Sequence, residues 1–163
     1  LDNHREIKKQ LGEDRLREAL SSFRNYVEKA VAPSGGRAWI WSDFGGVVLF
    51  PFDGESTDAV VCAFRLMLSR KLFVIEESRF NQMVTYRVAI HIGNTVYKTA
   101  GDTGTIVSDS LNTIFHLTQK FAEPDGLYLT SDVYHYVPPG LKKMLLPEGS
   151  YEGRDIYRIR RLQ

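Results

Sequence analysis

Val107-Ser-Asp-Ser-Leu-Asn112-Thr-Ile-Phe-His116-Leu117, read with the preceding Tyr86-Arg-Val-Ala-Ile-His91-Ile-Gly93, decides how the chain folds. In the first stretch the apolar Leu111, Ile114 and Phe115 recur at helical steps and leave Asn112 and His116, four residues apart, together on another face. The pattern predicts a helix from Ser108 or Asp109 to Ala122 that buries Leu111, Ile114, Phe115 and Thr118. The second stretch alternates, with Tyr86, Val88, Ile90 and Ile92 on one side and Arg87, Ala89 and His91 on the other, which predicts a strand over Val84 to Ile92. Between strand and helix, Gly93 to Gly104 is rich in Gly, Asn, Thr and Asp and reads as a loop.

Upstream, Leu16, Leu20, Phe23, Val27, Ala30 and Val31 predict an amphipathic helix that Pro33-Ser-Gly-Gly36 ends. Lys8, Lys9, Arg15 and Arg17 interleave with Glu6, Glu13, Asp14 and Glu18 as on a solvated helix surface. Ala38 to Asp43 and Val47 to Phe52 flank Phe44-Gly-Gly46, as in a hairpin with Asp43 at its tip. A second helix, capped by Ser56, runs to about Leu72 on Ala59, Val60, Ala63, Met67 and Leu68. Downstream, Pro124-Asp-Gly126 turns into a strand over Leu127 to Thr130, followed by a short helix from Ser131 to Tyr136, a break at Pro138-Pro-Gly140 and a closing strand near Asp155 to Ile159. This order predicts an α+β fold, a palm-type sandwich with helices packed on one face of a mainly antiparallel sheet.

Bulk properties narrow the function. With 163 residues and 43% hydrophobic content the chain suits a single domain, 1–163. Twenty-one basic against twenty acidic residues leave a net charge of +1, which supplies no field for nucleic acid or anionic lipid, so a charged ligand must be met by local groups. The lone Cys62 and the lack of a spanning apolar run or signal peptide favour a cytoplasmic protein without membrane insertion. Leu1 is no initiator methionine, as expected of a piece of a longer protein.

Three segments carry a resemblance. Trp39-Ile-Trp-Ser-Asp43 with Gly46-Val-Val-Leu-Phe50, Arg87-Val-Ala-Ile-His91-Ile-Gly93, and Ser108-Asp-Ser-Leu-Asn112 occur in the order and spacing of the Gly-Asp hairpin, the Gly-Ile-His-x-Gly strand and the Gly-Asp-Thr-Val-Asn helix entry of class III adenylate/guanylate cyclases. The chain resembles a cyclase-homology domain, a ferredoxin-like palm, from about Leu16 to Ile159. That resemblance implies ring closure of a nucleoside triphosphate on Mg²⁺ or Mn²⁺ across a homodimer or heterodimer of such domains.

It also implies roles residue by residue. Asp43 matches one metal-binding aspartate; Asp2 is the candidate for the other, residues 1–15 standing as the remnant of the family's first strand and phosphate loop. Asn112 matches the asparagine that orients the ribose, and His116 stands where the family carries its transition-state arginine. Trp39 and Thr105 occupy the base-recognition positions of a lysine and an acidic or threonine partner. Arg154 is the candidate phosphate ligand, because Tyr151-Glu152-Gly153-Arg154 has an acid beside the glycine where the family has lysine. His91 reads as a packed or hydrogen-bonded strand residue.

Imidazole is largely neutral at pH 7 and lacks the guanidinium fork. The pattern therefore implies a catalytically weak or inactive domain acting as a dimerising, regulatory or nucleotide-sensing module. The alternatives are an active adenylate or guanylate cyclase completed by upstream or partner groups, and a small palm that binds another ligand or a protein. Read without the resemblance, Asp43 is a turn residue, Asn112 a polar helix residue and Arg154 a solvated strand-end arginine.

Overall fold

A computed structural model describes residues 1–42, 45–55, 57–76, 84–94 and 109–160. Its contacts gather into two units, Leu1–Pro51 with Val61–Tyr86, and Phe52–Val60 with Arg87–Gln163.

In the first unit α1 (His4–Leu11) and α2 (Glu13–Val31) are separated by Gly12, whose φ of 87° a side chain would resist. The charged N-terminal stretch is therefore a helix of its own, with Ile7 buried against Leu16, Ala19 and Leu20. Helix α2 buries Leu16, Leu20, Phe23, Val27 and Val31 of the expected stripe, with Ala30 half-buried and Ala19 buried in addition, and ends in a 3-10 turn at Ala32–Ser34. Strands β1 (Arg37–Ser42) and β2 (Gly45–Leu49) form the expected hairpin. Its register slips between Ala38 and Ile40, so Trp39 is the extra residue of a bulge. The predicted second helix is two, α3 (Asp58–Leu68) and α4 (Arg70–Glu76); the expected cap Ser56 lies outside the described residues. They part at Ser69, whose hydroxyl turns back onto the Arg65 carbonyl at 2.6 Å. Phe23, Tyr26, Phe73 and Tyr86 form the aromatic centre: Phe23 lies 5.0 Å from the Tyr86 ring, and Tyr26 stacks on Phe73 at 4.3 Å.

The second unit holds a four-stranded sheet in the order β3-β4-β6-β5. Strand β3 (Val88–Ile90) runs parallel to β4 (Leu127–Thr130), while β6 (Arg154–Ile159) is antiparallel to both β4 and β5 (Leu145–Tyr151). The fold is thus mixed α+β with a mostly antiparallel sheet. Strand β3 is shorter than the predicted Val84 to Ile92, and β5 has no counterpart in the sequence reading. Helix α6 (Ser131–Tyr134) follows β4; after it the chain leaves the helical state up to Pro138, as expected, and Pro139 and Gly140 then open the turn α7 (Pro139–Lys142), with proline preset at the first helical position.

The decisive helix also departs from expectation. Helix α5 (Asp109–His116) is regular, but Leu117–Phe121 is a π turn closed by the Ala122 N–H on the Leu117 carbonyl at 2.9 Å. Leu111, Thr113 and Leu117 are buried, whereas Ile114, Phe115 and Thr118 are half-buried. Leu117 and Ala122 pack on Tyr128 and Ile156, with Ala89, Phe121 and Tyr151 around them. The Arg87 guanidinium donates to the Thr118 and Ala122 carbonyls, satisfying acceptors that the end of the helix leaves open. A Cβ at Gly93 would overlap the Ser110 hydroxyl, so glycine is what lets the chain beyond β3 run this close to the start of α5.

Candidate functional site

Asn112 is exposed on α5, and His116, one turn on, is 41% exposed at its side chain. Both therefore lie on the open face, as their spacing predicts. His116 is engaged: its Nδ1 lies 3.0 Å from Glu152 Oε1. Glu152 and Gly153 form the two-residue turn between β5 and β6, flanked by the paired Tyr151 and Arg154, with φ of 48° and 76°. Positive φ at both positions is the hairpin geometry that matches strand twist. Burial, followed by the charge and hydrogen bond of Glu152, raises the Tyr151 hydroxyl pKa, so the same carboxylate faces both His116 and Tyr151.

Arg154 is also occupied. Its Nε donates to Asp132 Oδ2 at 3.1 Å, and that carboxylate oxygen lies 3.5 Å from His91 Nδ1. His91, whose side chain is 4% exposed, is 3.0 Å from the hydroxyl of the fully buried Thr130. Burial first, then the neighbouring Arg154 cation, holds His91 below its usual pKa, with Asp132 opposing. Four elements of the second unit thus meet in one polar chain: the end of β3, the end of β4, the start of α6 and the start of β6.

In the first unit, Asp2 donates its backbone N–H to the Thr85 carbonyl at 2.7 Å, and the Asn3 side chain accepts the Thr85 N–H at 3.1 Å. The Leu1 backbone nitrogen lies 3.6 Å from where a Gly45 Cβ would be. The first residues therefore run beside Thr85 and the start of β2, although residues 1–3 themselves form no strand. Trp39 is buried, 7% exposed, turned inward at the bulge. Asp43 and Thr105 lie outside the described residues. Among the described residues no three His, Cys, Asp or Glu side chains are grouped to hold a metal ion.

No protein-family profile and no curated protein matches the chain. Solved structures do. A chain from Silicibacter pomeroyi described as an adenylate/guanylate cyclase/hydrolase superposes with a TM-score of 0.70 at 16% identity, over 96% of this chain and 89% of that one. The fold is class III cyclase-like.

In this cyclase-like fold α5 brings together two of the residues singled out from sequence, Asn112 and His116, while Arg154 sits at the β5–β6 turn in a different set of contacts. Glu152 and Asp132 are the partners that sequence alone does not reveal. The Glu-Gly pair was the available signal for the first, but with β5 unread there was no hairpin to place it in. Among the described residues no helix is long and apolar enough to cross a membrane.

Proposed function

We propose that the chain is a nucleotide cyclase-homology domain that is catalytically weak or inactive and acts in the cytosol as a dimerising, nucleotide-sensing module of a signalling protein. The observation that carries this reading is carboxylate pairing at both candidate phosphate contacts: His116 with Glu152 and Arg154 with Asp132. Phosphoryl transfer needs uncompensated positive charge where negative charge develops. A histidine and an arginine already facing carboxylates offer little of it. Asn112 remains exposed and can meet a ribose hydroxyl.

The active-cyclase reading has one observation in its favour, the course of Leu1 to Asn3 beside Thr85 and Gly45. On that reading Asp2 and Asp43 hold Mg²⁺ or Mn²⁺, which neutralises phosphate charge, and Trp39 and Thr105 face the base. The burial of Trp39 speaks against the last role. Incubation of the purified protein with ATP or GTP and either metal distinguishes the two readings: no cyclic nucleotide above the protein-free blank is expected. Robust turnover abolished by Asp43→Ala overturns the proposal. Sedimentation tests dimerisation, and a strict monomer at high concentration counts against it.

A further inference from the structure

We infer that Glu152 is a specificity-determining residue that turns the α5 face against polyphosphates, so that the ligand suited to it is a nucleoside or a nucleoside monophosphate. The inference rests on the reading above that Asn112 and His116 face the nucleotide. Three features of the structure fix the carboxylate there. Its Oε1 is 3.0 Å from His116 Nδ1, the one imidazole on that face of α5. Tyr151, whose ring lies 5.4 Å from Phe121 in the apolar cluster beside the π turn, precedes it, and the Glu152 carboxylate raises the pKa of the Tyr151 hydroxyl, after burial, by its charge and a hydrogen bond. The backbone at Glu152 has φ of 48° in a two-residue turn whose flanking residues are in register, so the side chain leaves a fixed point.

A residue other than glycine is uncommon at positive φ. Here it places an anion in front of the histidine. The cation nearest in sequence, Arg154, is 3.1 Å from Asp132 and so is already compensated. A phosphate approaching His116 must displace the Glu152 carboxylate or lie beside it. Like charges at such a contact repel, and the repulsion grows with each added phosphate. A nucleoside meets no such opposition and still finds the Asn112 amide.

The test is isothermal titration calorimetry of the purified protein with adenosine, AMP, ADP and ATP, and with the guanosine set, in EDTA so that no metal masks the charge. For the wild-type protein, affinity is expected to fall from nucleoside to triphosphate. Glu152→Lys reverses that order and tightens ATP or GTP by about tenfold, while the nucleosides change less than about threefold. Glu152→Gly keeps a residue suited to the positive φ and removes the charge; it flattens the series and guards against a folding artefact. A triphosphate-to-nucleoside ratio within twofold of wild type in both variants overturns the inference and leaves nucleotide sensing intact. Failure of every protein to bind any of these probes at millimolar concentration overturns both.

Discussion

His91 shows how one buried side chain can tie stability to pH. Burial and the Arg154 cation hold its pKa below the usual value near 6.5, so the native state keeps it neutral at a pH where an unfolded chain has begun to protonate it. Below 6.5 the unfolded state binds more protons, and stability falls. The contribution of His91 is therefore complete above 6.5 and is lost as the pH drops towards and through the native value. Urea denaturation of wild type and His91→Gln at pH 7.5, 6.5 and 5.5 isolates it from other titrating groups. The stability difference between the two proteins is expected to move in favour of the variant as pH falls; a constant difference would show that His91 is not held neutral.

Arg87 acts differently, through geometry. Its guanidinium closes the Thr118 and Ala122 carbonyls, and truncation leaves acceptors at the end of the π turn with fewer donors. Arg87→Met keeps the aliphatic stem and is expected to cost about 1.5 to 3 kcal/mol in denaturant unfolding, the range for hydrogen bonds to charged groups. A cost below about 0.5 kcal/mol would mean that solvent replaces the donor.

At the scale of elements, the residues of the decisive helix that carry the core are not the ones its spacing predicts. Leu117, absent from the predicted buried set, has no exposed surface and packs on Ala122, Tyr128 and Ile156. Leu117→Ala is expected to destabilise by about 2 to 5 kcal/mol, as for a core leucine with little room to collapse. Ile75, on α4, is 77% exposed, and Ile75→Ala is expected to stay within about 0.5 kcal/mol. Equal costs at the two positions would contradict the helix phase described above.

The same elements show what a sequence can reveal. Helix α2 and its stop were legible because Leu16 to Val31 repeat at helical spacing and Pro33-Ser-Gly-Gly36 cannot continue the pattern. Strand β4 was legible between its turn and the helix that follows. Strand β5 was not: it is an edge strand whose central residues are exposed, with Pro147 and Gly149 on either side of a register shift, so neither alternation nor composition marks it. Trp39 has the right sequence neighbours for a ligand contact, yet a one-residue bulge turns it inward, and bulges leave little trace in a pattern of period two. The candidate site was legible in its positions, Asn112 and His116 on one helical face. It was not legible in its pairing, because Glu152 and Asp132 reach their partners only after the sheet has formed.

At the scale of the whole molecule, a likeness over 96% of the chain at 16% identity shows how loosely sequence constrains this fold. What the chain must preserve is connectivity. It passes between its two units after Pro51, Val60 and Tyr86. Separable domains usually part in linkers that few contacts cross. Here the second passage falls inside the continuous helix α3, and the third lies two residues ahead of β3, directly after the fully buried Tyr86. The first residues of α3 thus belong to one unit and the remainder to the other. The expected outcome is one cooperative transition in urea. Both tryptophans, Trp39 and Trp41, belong to the first unit, so their fluorescence reports it alone, whereas far-UV circular dichroism also reads the four-stranded sheet of the second. The two midpoints should coincide, as two-state unfolding requires. A fluorescence transition displaced from the dichroism transition would show that the helix passing between the units does not couple them.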